Sequence, residues 1–351
     1  MKILPNNSSL IYSGRIDMSD PFAIVWTYPG TFVRMKFKGT QLFIHVRNKH
    51  NYWNNYLGVA EGDAQTKLLL PEEGEATIEI PLQTTQDNIH EVTIFKRQDA
   101  CHELMILGFE INCNTDDECE LLEASPLPPR RIEVYGDSVS AGEVSEAIDY
   151  VEKADPEHNG EYSNSWYSYA WIAARKLDAQ LHDIAQGGVA LLDNTGWYHE
   201  PDYIGMEQVW NKMRYNPDYG TVKEWDFSKY TPDIVIVAIG QNDSHPDDYM
   251  KTDYEGGKAK NWRTHYRQFL AKLRETYPDA WIICCTTLLQ HDIGWDMSIS
   301  QAVLDIADKK ISHCVFQRNG KATPGHLRIP EAEEMAEELC HYIHSLNIEG
   351  Y

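Results

Sequence analysis

The chain has 351 residues, and 31 Lys and Arg against 54 Asp and Glu give it a formal net charge of −23. That length holds one large or two ordinary domains. With 42% hydrophobic and 24% charged residues the composition builds a core, which excludes a disordered chain. The acidic excess excludes a nucleic-acid binder, because phosphates would be repelled.

The N-terminus, MKILPNNSSLIYSGR, has too short an apolar run for a signal peptide. No run of about 18 apolar residues exists for a membrane span. The expectation is a cytoplasmic chain without a membrane partner; a leader already removed would make it secreted instead. Residues 1–112 alternate at period two, in FVRMKFKG, TQLFIHVRN, EATIEIPL and HEVTIFKRQ. Half-buried strands read this way, and many short strands with turns between them, as at Gly74, predict a two-sheet β-sandwich such as a jelly roll. Residues 113–130, CNTDDECELLEASPLPPR, turn acidic and then Pro-rich. Pro126, Pro128 and Pro129 cannot sit inside a helix or a central strand, so this segment is expected to be a linker.

From residue 131 strands and helices alternate. RIEVYG, AQLHDIA, DIVIVAIG, AWIICCTTLL and SHCVF read as strands, the third an uninterrupted apolar run suited to burial on both faces. SWYSYAWIAARKLDA, NWRTHYRQFLAKLRETYP, SISQAVLDIADKK and IPEAEEMAEELCHYIHSL read as helices, and HDIGWDMS as a loop. The pattern predicts an α/β domain over 131–351, a parallel sheet between helical layers. Seven cysteines are present. Cys284 and Cys285 fall in an apolar strand, and the Cys113–Cys119 spacing matches no zinc pattern. Free thiols are expected throughout, as in a reducing compartment.

In such a sheet the active site lies beyond the carboxyl ends of the strands. Gly136-Asp137-Ser138 follows the first strand, Gln186-Gly187-Gly188 the second and Gly240-Gln241-Asn242-Asp243 the third, while Thr323-Pro324-Gly325-His326 precedes the last helix. Alone, each would be a turn or a cap; together they fall in order at strand ends. A Ser hydroxyl needs a base to take its proton as it attacks an ester carbonyl, and His is the usual base near neutral pH.

The blocks YGDSVSAG, a glycine in block two, IGQND and His326 resemble the SGNH hydrolases, a branch of the GDSL esterase and lipase group. The resemblance implies a three-layer α/β/α domain with Ser138 as nucleophile and His326 as general base and then acid. It also implies an oxyanion hole made by the N–H of Ser138, the N–H of Gly187 and the amide of Asn242. The family's D-x-x-H acid is replaced by Thr323. His326 is therefore expected to be oriented by a backbone carbonyl near Gly325, or by Asp292 or Asp296, with Thr323 the weakest candidate. Asp137 and Asp243 read as scaffold groups for loop N–H groups. Trp295, and Tyr162 beside it in this role, are candidate substrate contacts. His341 and His344 lack a third ligand nearby, so no metal or cofactor is expected.

Gly14-Arg15, Trp26, Phe37 to Thr40, His90-Glu91-Val92 and Lys96-Arg97 in the first half resemble the sandwich domain of carbohydrate esterase family two, as do SYAWIAARKL, YRQFLAKLRETYPDAWI and MAEEL in the second. What the resemblance implies is an acetyl esterase that removes acetyl groups from plant-derived xylo-, manno- or gluco-oligosaccharides through an acetyl-serine, in some members without a triad acid. The alternatives are another SGNH esterase, lipase or thioesterase, or a non-catalytic sugar-binding protein.

Overall fold

The structure, a computed structural model, describes residues 1–114 and 119–351. The N-terminal half consists of short strands: β1 Lys2–Ile3, β2 Ile11–Ser13, β3 Ile16–Asp17, β4 Ile24–Trp26, β5 Phe32–Lys38 and β6 Gln41–Lys49. They continue as β7 Tyr56–Glu61, β8 Ala64–Leu69, β9 Glu73–Ile80, β10 Ile89–Lys96, β11 Glu103–Asn112 and β12 Glu120–Leu122. They form two antiparallel sheets, β3-β4-β11-β6-β9 with β1 on β11, and β12-β5-β10-β7-β8 with β2 on β5. The alternation seen in the sequence is the cause: along β6, Leu42, Ile44 and Val46 point inward, and along β10, Val92 and Ile94 do. Together with Trp26, Met35 and Phe37 they fill the space between the sheets.

Two expectations for 113–130 are corrected here. The segment is not only a linker, because β12 adds to the sandwich, pairing Glu120 with Lys38; residues 115–118 of it lie outside the described residues. Nor are all thiols free: Cys113 and Cys119 form a disulfide, their Cα atoms 5.6 Å apart. That separation lies within the range a disulfide spans. Cys101, Cys284, Cys285, Cys314 and Cys340 are free and buried.

The second half carries a parallel sheet of β13 Arg130–Gly136, β14 Ala179–Ala185, β17 Ile234–Ala238, β18 Trp281–Cys285 and β19 Ile311–His313, in the order β14-β13-β17-β18-β19. A small ribbon, β15 Lys212–Arg214 with β16 Lys223–Glu224, lies apart from it. The helices are α1 Ser138–Ala141, α2 Tyr169–Lys176, α3 Met206–Val209, α4 Tyr249–Thr252, α5 Gly257–Thr276, α6 Ile293–Ile306 and α7 Ile329–Ser345. On one face Ile132, Val134 and Ile236 pack against α2 and α7 through Ala173, Met335 and Leu339. On the other, Tyr135, Val235 and Val237 meet Trp262, Tyr266 and Phe269 of α5 and Ile299 of α6. The α/β/α layering follows, since strands apolar on both faces need helices on both. The chain leaves β13 toward β14 on one side and returns as β17 on the other, so a crevice opens at the carboxyl ends of these strands. Among the described residues no helix is long and apolar enough to cross a membrane.

Candidate active site

Ser138 is the first residue of α1, directly after β13. Asp137 caps that turn, its Oδ1 accepting the Val139 N–H at 3.0 Å. Its Oδ2 accepts from Gln241 Nε2 at 2.7 Å and Asn242 Nδ2 at 3.1 Å, which ties the turn after β13 to the turn after β17. Asp243 accepts the N–H groups of Leu191 and Leu192 at 2.8 and 3.1 Å and so fixes the turn after β14. Both carboxyls are scaffold groups, as expected. Burial pushes Asp137 up to about 6 and Asp243 up to about 7.

His326 lines the same cavity as Ser138. Its Nδ1 meets Asp155 Oδ2 at 2.7 Å, and its backbone N–H donates to Asp155 Oδ1 at 3.0 Å. Arg328 pairs with the same carboxylate at 2.8 Å. None of the expected partners is there. Asp292 caps α6 through the Gly294 N–H at 2.9 Å, and Asp296 meets His291 Nε2 at 3.0 Å. The Thr323 N–H donates to Glu331 at 2.8 Å. Nor does a backbone carbonyl hold Nδ1, because the Asp155 carboxylate occupies it. Gly325 makes this possible: its φ is +130°, and a Cβ there would run into Asp155. Burial lowers the His326 pKa, but the Asp155 bond and the charges of Glu143, Asp155 and Asp137 outweigh it and raise the value overall. Burial likewise opposes, and His326 and Arg328 outweigh, so that Asp155 lies below its ordinary range.

Of the three donors expected to serve an oxyanion, only the Ser138 N–H has no partner among the described residues. The Gly187 N–H donates to Asp99 Oδ2 at 2.8 Å, and Asn242 Nδ2 also donates to the Val189 carbonyl at 3.0 Å. Asp99, from the β10–β11 loop of the sandwich, also accepts from Gln186 Nε2 at 2.8 Å. Beside it stands Glu143, whose Oε2 lies 3.5 Å from both His158 Nε2 and His326 Nε2. A Cβ on Gly187 would run into both carboxylates. Burial, then the charge of Glu143, lifts Asp99 to about 6. Glu143, which burial also pushes up, is brought below its ordinary range by His158 and His326.

The cavity measures about 600 Å³ and is walled by the rings of Tyr52, Trp53, Trp197 and Tyr198. Trp295 is not among them. It is fully buried, edge-on to Trp262 and Tyr249, because HDIGWDMS is the start of α6 and not a loop. Tyr162 lies outside the lining as well. Tyr52, Trp53 and Asp99 come from the sandwich, and no spacing in the sequence marks them. Asp99, Cys101 and His102 place donor atoms within reach of one another. Asp99 is taken up as described, however, and burial holds the Cys101 thiol protonated, so this set does not suit a metal.

Together the sheet order, and Ser138 and the His326–Asp155 pair lining one cavity at its switch point, define the class: an α/β/α domain of SGNH fold behind a β-sandwich. The sequence model described as carbohydrate esterase 2 N-terminal matches residues 12–117. The chain is 28% identical over 345 residues to the cellulase/esterase CelE of Acetivibrio thermocellus, covering 95% of this chain and 39% of that protein. It is 27% identical over 281 residues to the acetylxylan esterase / glucomannan deacetylase of Cellvibrio japonicus, 77% of this chain and 69% of that one. A family two carbohydrate esterase from Clostridium thermocellum, solved in complex with cellohexaose, superposes with a TM-score of 0.78 at 25% identity, covering 96% and 98% of the two chains. The chain is thus similar to family two carbohydrate esterases along both of its halves.

Proposed function

We propose that the chain is a carbohydrate O-acetyl esterase acting on acetylated xylo-, manno- or gluco-oligosaccharides. The observation that carries this reading is His326 held by Asp155 in the cavity that also receives Ser138. In the reading, His326 Nε2 takes the Ser138 proton as Oγ attacks the acetyl carbonyl. The oxyanion forms against the Ser138 N–H and shares the Gly187 and Asn242 donors with their present acceptors. The imidazolium, stabilised by Asp155, protonates the departing sugar oxygen. Water then attacks the acetyl-serine with His326 again as base. The four rings offer faces for a sugar, and the names of the relatives, esterases and a deacetylase, point the same way.

A second reading, sugar binding without turnover, is favoured by one observation: Ser138 Oγ makes no hydrogen bond to His326. Assay of para-nitrophenyl acetate and of acetylated xylo- and manno-oligosaccharides separates the two. Turnover that Ser138→Ala lowers by about 10⁴-fold or more is expected. Turnover unchanged in Ser138→Ala would sink the mechanism, and sugar binding with no turnover would establish the second reading.

A further inference from the structure

Glu143 is used by no step of that mechanism, yet it lines the cavity beside Ser138 and His326. Its backbone N–H donates to the Ser138 carbonyl at 3.0 Å, which fixes it one turn beyond the nucleophile. Its side chain is 7% exposed and turns back into the cavity. Oε2 faces His326 Nε2 and His158 Nε2, each 3.5 Å away. Oε1 is buried and has no hydrogen-bond partner. Leaving a buried carboxylate oxygen without a donor costs more than an ordinary hydrogen bond gains. The protein has little to offer it. The residues lining the cavity include no Lys or Arg, and the neighbouring Asp99, which already accepts from Gly187 and Gln186, can donate to Glu143 only when it is itself protonated.

The departing oxygen of the substrate must sit at His326 Nε2 to be protonated. A substituent on the next carbon of the alcohol half then lies beside Glu143. Resting on the esterase reading above, we infer that Glu143 is a specificity-determining residue: its carboxylate accepts a hydrogen bond from a donor group adjacent to the ester on the alcohol half of the substrate. That donor is a hydroxyl of a neutral sugar or the ammonium of an amino sugar, the same chemistry from two sources.

The test compares kcat/KM on acetylated xylo-oligosaccharide, on O-acetylated glucosamine oligosaccharide and on para-nitrophenyl acetate, which has no such donor. Effects of Glu143 that reach the chemistry through His326 divide out in the ratio of sugar ester to aryl ester. Glu143→Ala should lower that ratio by about 10- to 100-fold, and Glu143→Leu, closer in volume, should do the same if the smaller side chain disturbs folding. Glu143→Gln, which keeps an amide oxygen, restores most of the ratio if the donor is a hydroxyl and little of it if it is an ammonium. A ratio unchanged in the Ala and Leu variants, with the sugar esters still cleaved, overturns the inference and leaves the esterase reading standing; wild-type protein that cleaves only the aryl ester overturns the inference and the carbohydrate part of that reading. Wild-type protein that cleaves none of the three esters overturns both.

Discussion

Asp155, in a polar loop with no motif of its own, orients His326 from 171 residues away in the chain. Its effect is electrostatic and directional. The carboxylate fixes the Nδ1 proton and leaves Nε2 as the free base, and in the proposed reaction it would stabilise the imidazolium. Because the His326 pKa is raised above its ordinary 6.5, the imidazole is protonated below that raised value and cannot act there as the base of the proposed reaction. Activity should therefore climb with pH through a point above 6.5, not below it. Asp155→Asn removes the anion. It should move the acidic limb of the pH–rate profile to lower pH and lower the plateau by up to about 10⁴-fold. Asp292→Asn and Asp296→Asn, which touch α6 and His291, should leave both limb and plateau nearly in place. A profile of kcat/KM from acid to neutral pH on the three variants decides this.

Among the elements, those with strong periodicity were legible from the sequence. Strands β13, β14, β17 and β18 and helices α2, α5 and α7 fall where apolar spacing places them. The misplacement at α6 has a local cause: HDIG reads as a turn, but Asp292 is an N-cap, so the helix begins at Ile293 and carries Trp295 into the core. The bridge after β11 is a second case, since nothing in CNTDDEC says that its two cysteines pair. The Cys113–Cys119 bridge closes a short loop, and closure of that length contributes about 2 kcal/mol through the unfolded chain. A double Cys113→Ser, Cys119→Ser variant should lose about that much in urea unfolding while any turnover in the assays proposed above is unchanged, because neither residue lines the cavity. The disulfide also removes the argument from thiols for a reducing compartment.

At the scale of the whole molecule, the sandwich is a wall of the site. Tyr52, Trp53 and Asp99 from it face Ser138 and His326 across the cavity. Buried charge holds the halves in register. Arg15, fully buried, pairs with Glu133 of β13 at 3.1 Å and donates to Tyr135 OH at 2.8 Å and the Trp210 carbonyl at 2.6 Å. Arg214 pairs with Glu103 across the same junction at 2.5 Å. Removing one partner of a buried pair strands the other charge, so Arg15→Met should lower stability by about 3–5 kcal/mol. Thermal unfolding of the variant should show it, with a smaller loss for Arg15→Met combined with Glu133→Gln. The Gly14-Arg15 and Lys96-Arg97 pairs in the sequence thus have a physical meaning: both lie at the junction, where Lys96 also donates to the Asp99 carbonyl.

The sequence by itself determined the two-part plan, the parallel sheet and the positions of Ser138, Gly187, Asn242 and His326 at loop ends. Each of these is written locally, in periodicity or in a short block. Only the tertiary structure decided that Asp155 is the partner of His326, that Asp99 occupies the Gly187 N–H, that Glu143 stands between two imidazoles and that Trp295 is core. Those outcomes depend on which loops meet when strands far apart in the chain become neighbours. Contacts of that kind leave no spacing in the sequence, because loop closure over 50 or 170 residues costs nearly the same free energy, and packing makes the choice.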